Sequence, residues 1–64
     1  MNEAEKLSLA TELIENKIAK TMNLLEKDNS KQNEEKYKKL IETRDKIYKR
    51  NIDEIEKIIN ESRM

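Results

Sequence analysis

Catalysis needs side chains that move protons, supply electron pairs or hold metals, and this chain has few of them. It contains no histidine and no cysteine. That removes the commonest acid-base group near neutral pH, the thiolate nucleophile and the usual zinc ligands. Two acid pairs remain at helical spacing, Glu12 with Glu15 and Asp53 with Glu56. Paired carboxylates can share a proton or hold a hard cation, but bundle metal sites normally add histidine and point inward. These pairs belong to polar faces. Ser8, Ser30 and Ser62 lack a neighbouring base or a strained turn to activate them. The expectation is therefore a non-enzymatic protein with no catalytic residue, cofactor, metal or small-molecule substrate.

The most suggestive polar feature is basic. Between Lys36 and Arg50, seven basic residues stand against two acids, Glu42 and Asp45. On a continuous helix Lys36, Lys39, Lys46 and Arg50 share one side of the polar face, a stripe able to meet phosphates of nucleic acid. Lys38 and Lys49 fall on the other side, interleaved with acids. Over the whole chain 14 basic and 14 acidic residues cancel, so no global field draws it to nucleic acid or an anionic membrane. Nucleic-acid contact is kept as the alternative to a plain solvated face.

These side chains must be positioned by helices, because the 64 residues include no glycine and no proline. Without those residues almost nothing stops a helix. Charged residues make up 44% and hydrophobic ones 34%, a balance compatible with disorder but for the periodic Ile and Leu. One break is evident, Asp28-Asn29-Ser30, whose side chains compete for backbone hydrogen bonds. The pattern predicts an all-α fold over 1–64, one antiparallel two-helix hairpin with helices at about 3–27 and 31–62. Asn2 should cap the first, with Glu5 completing a capping box, and Asn29 or Ser30 should cap the second.

On the first helix Leu7, Ile14, Ile18, Met22 and Leu25 form a seam, and Leu9, Leu13 and Leu24 lie to one side, joined to it by Ala10. One partner helix cannot cover so wide a face. The second helix carries Tyr37, Leu40, Ile41, Ile47, Tyr48, Ile52, Ile55, Ile58 and Ile59 on one side. Its outer side carries acid-to-base pairs four apart, such as Glu34 with Lys38 and Asp45 with Lys49. A hairpin this small has little stability to spare, and a two-fold axis lets one patch serve both partners. A homodimeric four-helix bundle is expected, with Leu7, Leu9, Leu13, Ile14, Ile18, Leu24, Leu25, Tyr37, Ile41, Tyr48, Ile52, Ile55 and Ile59 at the self-association or partner interface.

Two residues interrupt the second seam. Arg44 and Asn51 sit seven apart where apolar side chains belong. Either Arg44 reaches solvent at the seam edge and pairs with Glu12 or Glu15 across the hairpin, or Arg44 and Asn51 form buried polar layers that specify register. The expected location is the cytoplasm, since no apolar run exceeds two residues and nothing resembles a signal peptide or membrane span.

In length and layout the chain resembles the Rop family of small plasmid proteins, in which two helical hairpins pair as a four-helix bundle that binds paired RNA loops. The likeness is architectural, and no functional residue is carried over by it. The chain is also similar in layout to small secretion-system chaperones and to the hairpin phosphatases of sporulation control. The phosphatases use a late Ser and Asp motif that Ser62, with no Asp after it, does not reproduce. The leading expectation is a helical protein-protein interaction module acting as regulator, adaptor, scaffold or chaperone. The alternative is a nucleic-acid-binding dimer using the basic stripe.

Overall fold

Capping side chains set the helix boundaries. A computed structural model of the chain describes residues 2–62. Helix α1 spans Glu3–Lys27 and opens on Asn2, whose side-chain oxygen accepts from the Glu5 N–H at 2.8 Å. Helix α2 spans Lys31–Tyr48 and opens on Ser30, whose hydroxyl accepts from the Asn33 N–H at 3.3 Å. The Asn33 side chain reaches back to donate to the Asp28 carbonyl at 3.1 Å, so the turn after α1 is closed by side chains. Asn29 does not adopt the left-handed backbone that would have suited it, as Arg50 is the only residue with positive φ among those described.

The single second helix expected over 31–62 does not form. It stops at Tyr48, and a third helix, α3, spans Ile52–Ser62. The stop is a complete Schellman closure: the Asn51 N–H donates to the Lys46 carbonyl at 3.0 Å and the Arg50 N–H to the Ile47 carbonyl at 2.9 Å. Arg50 occupies the left-handed position that glycine usually fills, at φ 62. That costs a residue with a Cβ about 1–2 kcal/mol. Asn51 then caps α3, its side-chain oxygen accepting from the Glu54 N–H at 3.2 Å. Asn51 is exposed, so its role is to start a helix and not to form a buried polar layer.

What this bend gains is cover for α1. Chain direction reverses at 28–30, so that Glu15 of α1 meets Arg44 and Tyr48 of α2. It reverses again at 49–51, so that α3 runs in the same direction as α1, with Lys6 paired to Glu56 at 3.3 Å and Lys17 to Glu61 at 3.5 Å. The core comprises Ala10, Ile14 and Ile18 from α1, Ile47 from α2, and Ile55, Ile58 and Ile59 from α3. Leu7, Leu9, Leu13, Tyr37, Leu40 and Ile41 pack around it half-buried. Thr21 is also buried, and its hydroxyl donates to the Lys17 carbonyl at 2.9 Å. Of the α1 side chains that one neighbour could not cover, Leu9 and Leu13 are thus half-buried against this core, while Leu24 stays exposed.

Ile14 and Ile47 are fully enclosed, so truncation there leaves a cavity as well as lost burial. Ile14→Ala should cost about 2–5 kcal/mol, enough to abolish a cooperative thermal transition followed by circular dichroism. Asn51→Ala should cost about 1 kcal/mol as a lost cap. A melting temperature unchanged by Asn51→Ala would contradict its assignment as the start of α3.

Candidate interaction surface

Where α3 begins, it stands away from the first turns of α1 and leaves an open groove of about 930 Å³. Its walls are Ala4, Leu7, Ser8 and Thr11 on one side and Ile52 and Ile55 on the other. Thr11 presents chiefly its methyl, because its hydroxyl donates to the Leu7 carbonyl at 2.8 Å. Ile52 is 56% exposed, the most exposed of the large apolar side chains among the described residues. As the first residue of α3, its position is set by the Asn51 cap beside it. The rim is charged, with Glu3, Lys6, Glu12, Arg50 and Glu56. Lys6 and Glu56 pair with each other, while Glu3 and Glu12 have no cation within 4.0 Å among the described residues. Beside the core, a cleft of about 90 Å³ touches Ile14, Leu40 and Ile58, too small to hold more than a few waters.

The edge between α1 and α2 carries a polar cluster. Tyr48 donates its hydroxyl to Glu15 Oε1 at 2.7 Å, and Arg44 Nη1 lies 3.6 Å from the same oxygen. The Arg44 guanidinium carbon also sits 5.9 Å from the Tyr48 ring centroid, within cation-π reach. Arg44 therefore reaches the rim and pairs with Glu15, one of the two arrangements the spacing left open. The hydrogen bond to Glu15 holds the Tyr48 phenol above its ordinary value, with some loss of hydration and the Glu15 charge adding to the effect and Arg44 opposing it. Arg44 and Glu15 are half-buried and Tyr48 is exposed, so solvent screens the cluster and it registers the helices more than it stabilises them.

The residues expected at an interface separate into three groups. Ile14, Ile18, Ile55 and Ile59 are buried in the chain's own core; Leu7, Leu9, Leu13, Leu25, Tyr37 and Ile41 are half-buried; Leu24, Tyr48 and Ile52 are exposed. Leu24 and its neighbour Met22, each 47% exposed, lie at the far end of α1 from the groove. The basic set is also divided. Lys36 and Lys39 are exposed on α2, Lys46 pairs with Glu54 at 3.7 Å, and Arg50 sits in the bend outside any helix. The acid pairs do not converge: Glu12 is on the groove rim, Glu15 holds Tyr48, and Glu56 holds Lys6 while Asp53 is exposed.

Of the acid-to-base pairs four apart, Glu34–Lys38, Glu35–Lys39, Glu42–Lys46, Asp45–Lys49 and Asp53–Lys57, only Asp45 with Lys49 comes within 4.0 Å among the described residues. Pairs between helices, from Lys6, Lys17, Arg44 and Lys46, do more to tie the fold. The groove itself was missed, although its cause had a signal. Asn51-Ile52-Asp53-Glu54 is an N-cap residue followed three positions later by glutamate, ahead of an apolar run. No helix among the described residues is long and apolar enough to cross a membrane. No protein-family model, curated protein or solved structure matches the chain.

With Tyr37 replaced by Phe, the ultraviolet absorbance of phenolate reports Tyr48 alone. Its midpoint should lie above the free value of about 10, and Glu15→Gln should lower it. The fold favours the neutral phenol, so this contribution to stability is present below the free value and lost as pH rises through the raised one. A midpoint indifferent to Glu15→Gln would refute the hydrogen bond as its cause.

Proposed function

We propose that the protein is a non-enzymatic helical interaction module whose working surface is the groove between α1 and α3. The observation that carries this reading is the apolar floor that α3 does not close, with Ile52 more than half exposed at its mouth. A groove of this size, walled by two helices, suits the apolar edge of an amphipathic helix from a partner protein. Glu3 and Glu12, with no cation within 4.0 Å among the described residues, line the α1 side of the rim and outnumber Arg50, the rim cation with no carboxylate that close among them. They favour a partner helix with lysine or arginine beside its apolar stripe. Such a module would act by occupying its partner, as an adaptor, scaffold, chaperone or small regulator does.

The surface is tested by placing a photo-crosslinking amino acid at position 52 in the producing cell and identifying what is captured. A specific partner should dock through an amphipathic basic helix, and its affinity, measured by titration with purified protein, should fall at least about tenfold with Ile52→Asp. Glu12→Lys should weaken it further and reduce its salt dependence. Capture of a second copy of this chain would make the groove a self-association surface instead. A captured partner whose binding ignores Ile52→Asp would refute the groove as its site.

A further inference from the structure

The bend between α2 and α3 is held by local chemistry that conflicts with the sequence on either side of it. Residues 49–51 contain no glycine or proline, and Arg50 nonetheless takes the left-handed conformation that side chains with a Cβ disfavour. The apolar stripe runs through the joint at helical spacing, from Tyr37 and Ile41 through Tyr48 and Ile52 to Ile55 and Ile59. A straight helix over 31–62 would relieve Arg50 and give the N–H groups of Ile52 and Asp53 helical partners, but would exchange the two Schellman bonds for ordinary helical ones and give up the Asn51 cap. The joint thus has two self-consistent arrangements.

In the straight arrangement α3 leaves its own α1. The side chains that bind it there, Ile55, Ile58 and Ile59 by burial and Glu56 and Glu61 by ion pairs with Lys6 and Lys17, can be satisfied identically by α1 of a second copy. We infer that the chain can exchange α3 with a second copy of itself, forming a dimer in which α2 and α3 are one continuous helix. The contacts of α3 with α1 are unchanged by the exchange, so the balance rests on the hinge and on protein concentration. Lys46 and Glu54 mark the closed form. Lys46 Nζ and Glu54 Oε1 are 3.7 Å apart across the bend, whereas eight residues along a straight helix would set their backbones about 12 Å apart along the axis, beyond easy reach of an ion pair. This inference does not depend on the groove being a docking site.

The chain has no native cysteine, so Lys17→Cys with Glu61→Cys places one reactive pair between α1 and α3. A short bismaleimide then joins the pair within one chain in the closed monomer, and between two chains in the exchanged dimer. Light scattering after size-exclusion chromatography, over micromolar to millimolar protein, should show a concentration-dependent dimer whose crosslinks are between chains. Arg50→Gly should weaken that dimer at least about tenfold, because glycine suits the bend and disfavours the helix. Arg50→Ala should change it by no more than about twofold, because alanine shares the Cβ penalty in the bend and nearly the same helix propensity, whereas Asn51→Ala, which removes the cap, should strengthen it at least about tenfold. A monomer at all concentrations in both Arg50→Ala and Asn51→Ala overturns the inference. So does a dimer whose crosslinks stay within each chain, and if that dimer is lost with Ile52→Asp it belongs to the groove.

Discussion

Everything in this molecule depends on burying the broad apolar face of α1. Ala10, Ile14 and Ile18 run up its centre, with leucines to either side. A single antiparallel neighbour can shield one flank of such a face, and α2 alone supplies only Ile47 to the fully buried set. Three isoleucines must therefore arrive from elsewhere, and they do so on the 11 residues of α3. Their stiff, branched side chains pack in few rotamers, which favours one defined core over a loosely collapsed one. The demand for a third layer explains why the chain accepts an unfavourable backbone at Arg50. Hydrophobic burial of Ile55, Ile58 and Ile59 outweighs one strained residue by several-fold, at about 1.5–3 kcal/mol for each side chain removed from water.

Polar groups then refine what burial determines. Asn2, Ser30 and Asn51 each accept from a backbone N–H three residues on, so every helix begins on a side-chain oxygen. The ion pairs between helices join partly exposed groups, and each contributes at most about 1 kcal/mol. Their value lies in register: Lys6 and Lys17 fix where α3 lies along α1, and Glu15 fixes α2 through Tyr48 and Arg44. Electrostatics of this kind selects among packings that burial alone would leave nearly equivalent.

The all-helical character, the first helix with its Asn2 cap, the turn at 28–30 and the facing of Glu15 and Arg44 were all legible in the sequence. Each rests on local chemistry or on a single periodic stripe. The bend at 49–51 was obscured, because apolar residues recur at helical spacing on both sides of it and no glycine or proline marks it, which leaves the Asn51 and Glu54 capping pattern as its signal. Helix propensity argued for continuity, and tertiary burial overrode it. Reading Asn51 as a seam defect obscured its meaning, since position seven after Arg44 on a helix is also position three before Glu54. The groove was obscured with it, being a product of how α3 folds back. The layout shared with paired hairpins also ends at this bend.

The short reach of α3 has one more consequence. The molecule is 39 Å in its longest dimension, close to the length of α1, and α3 covers only part of it. From Met22 through Lys46 no side chain is fully buried, so the end that carries the 28–30 turn is held by half-shielded contacts. Opening there would forfeit none of the seven core residues. The rod therefore has a firm end and a soft one, and amide hydrogens around the turn should exchange through local fraying well before those beside Ile14. Cooperativity resides in the three-helix end, and the two-helix end adds length that can loosen without unfolding the rest.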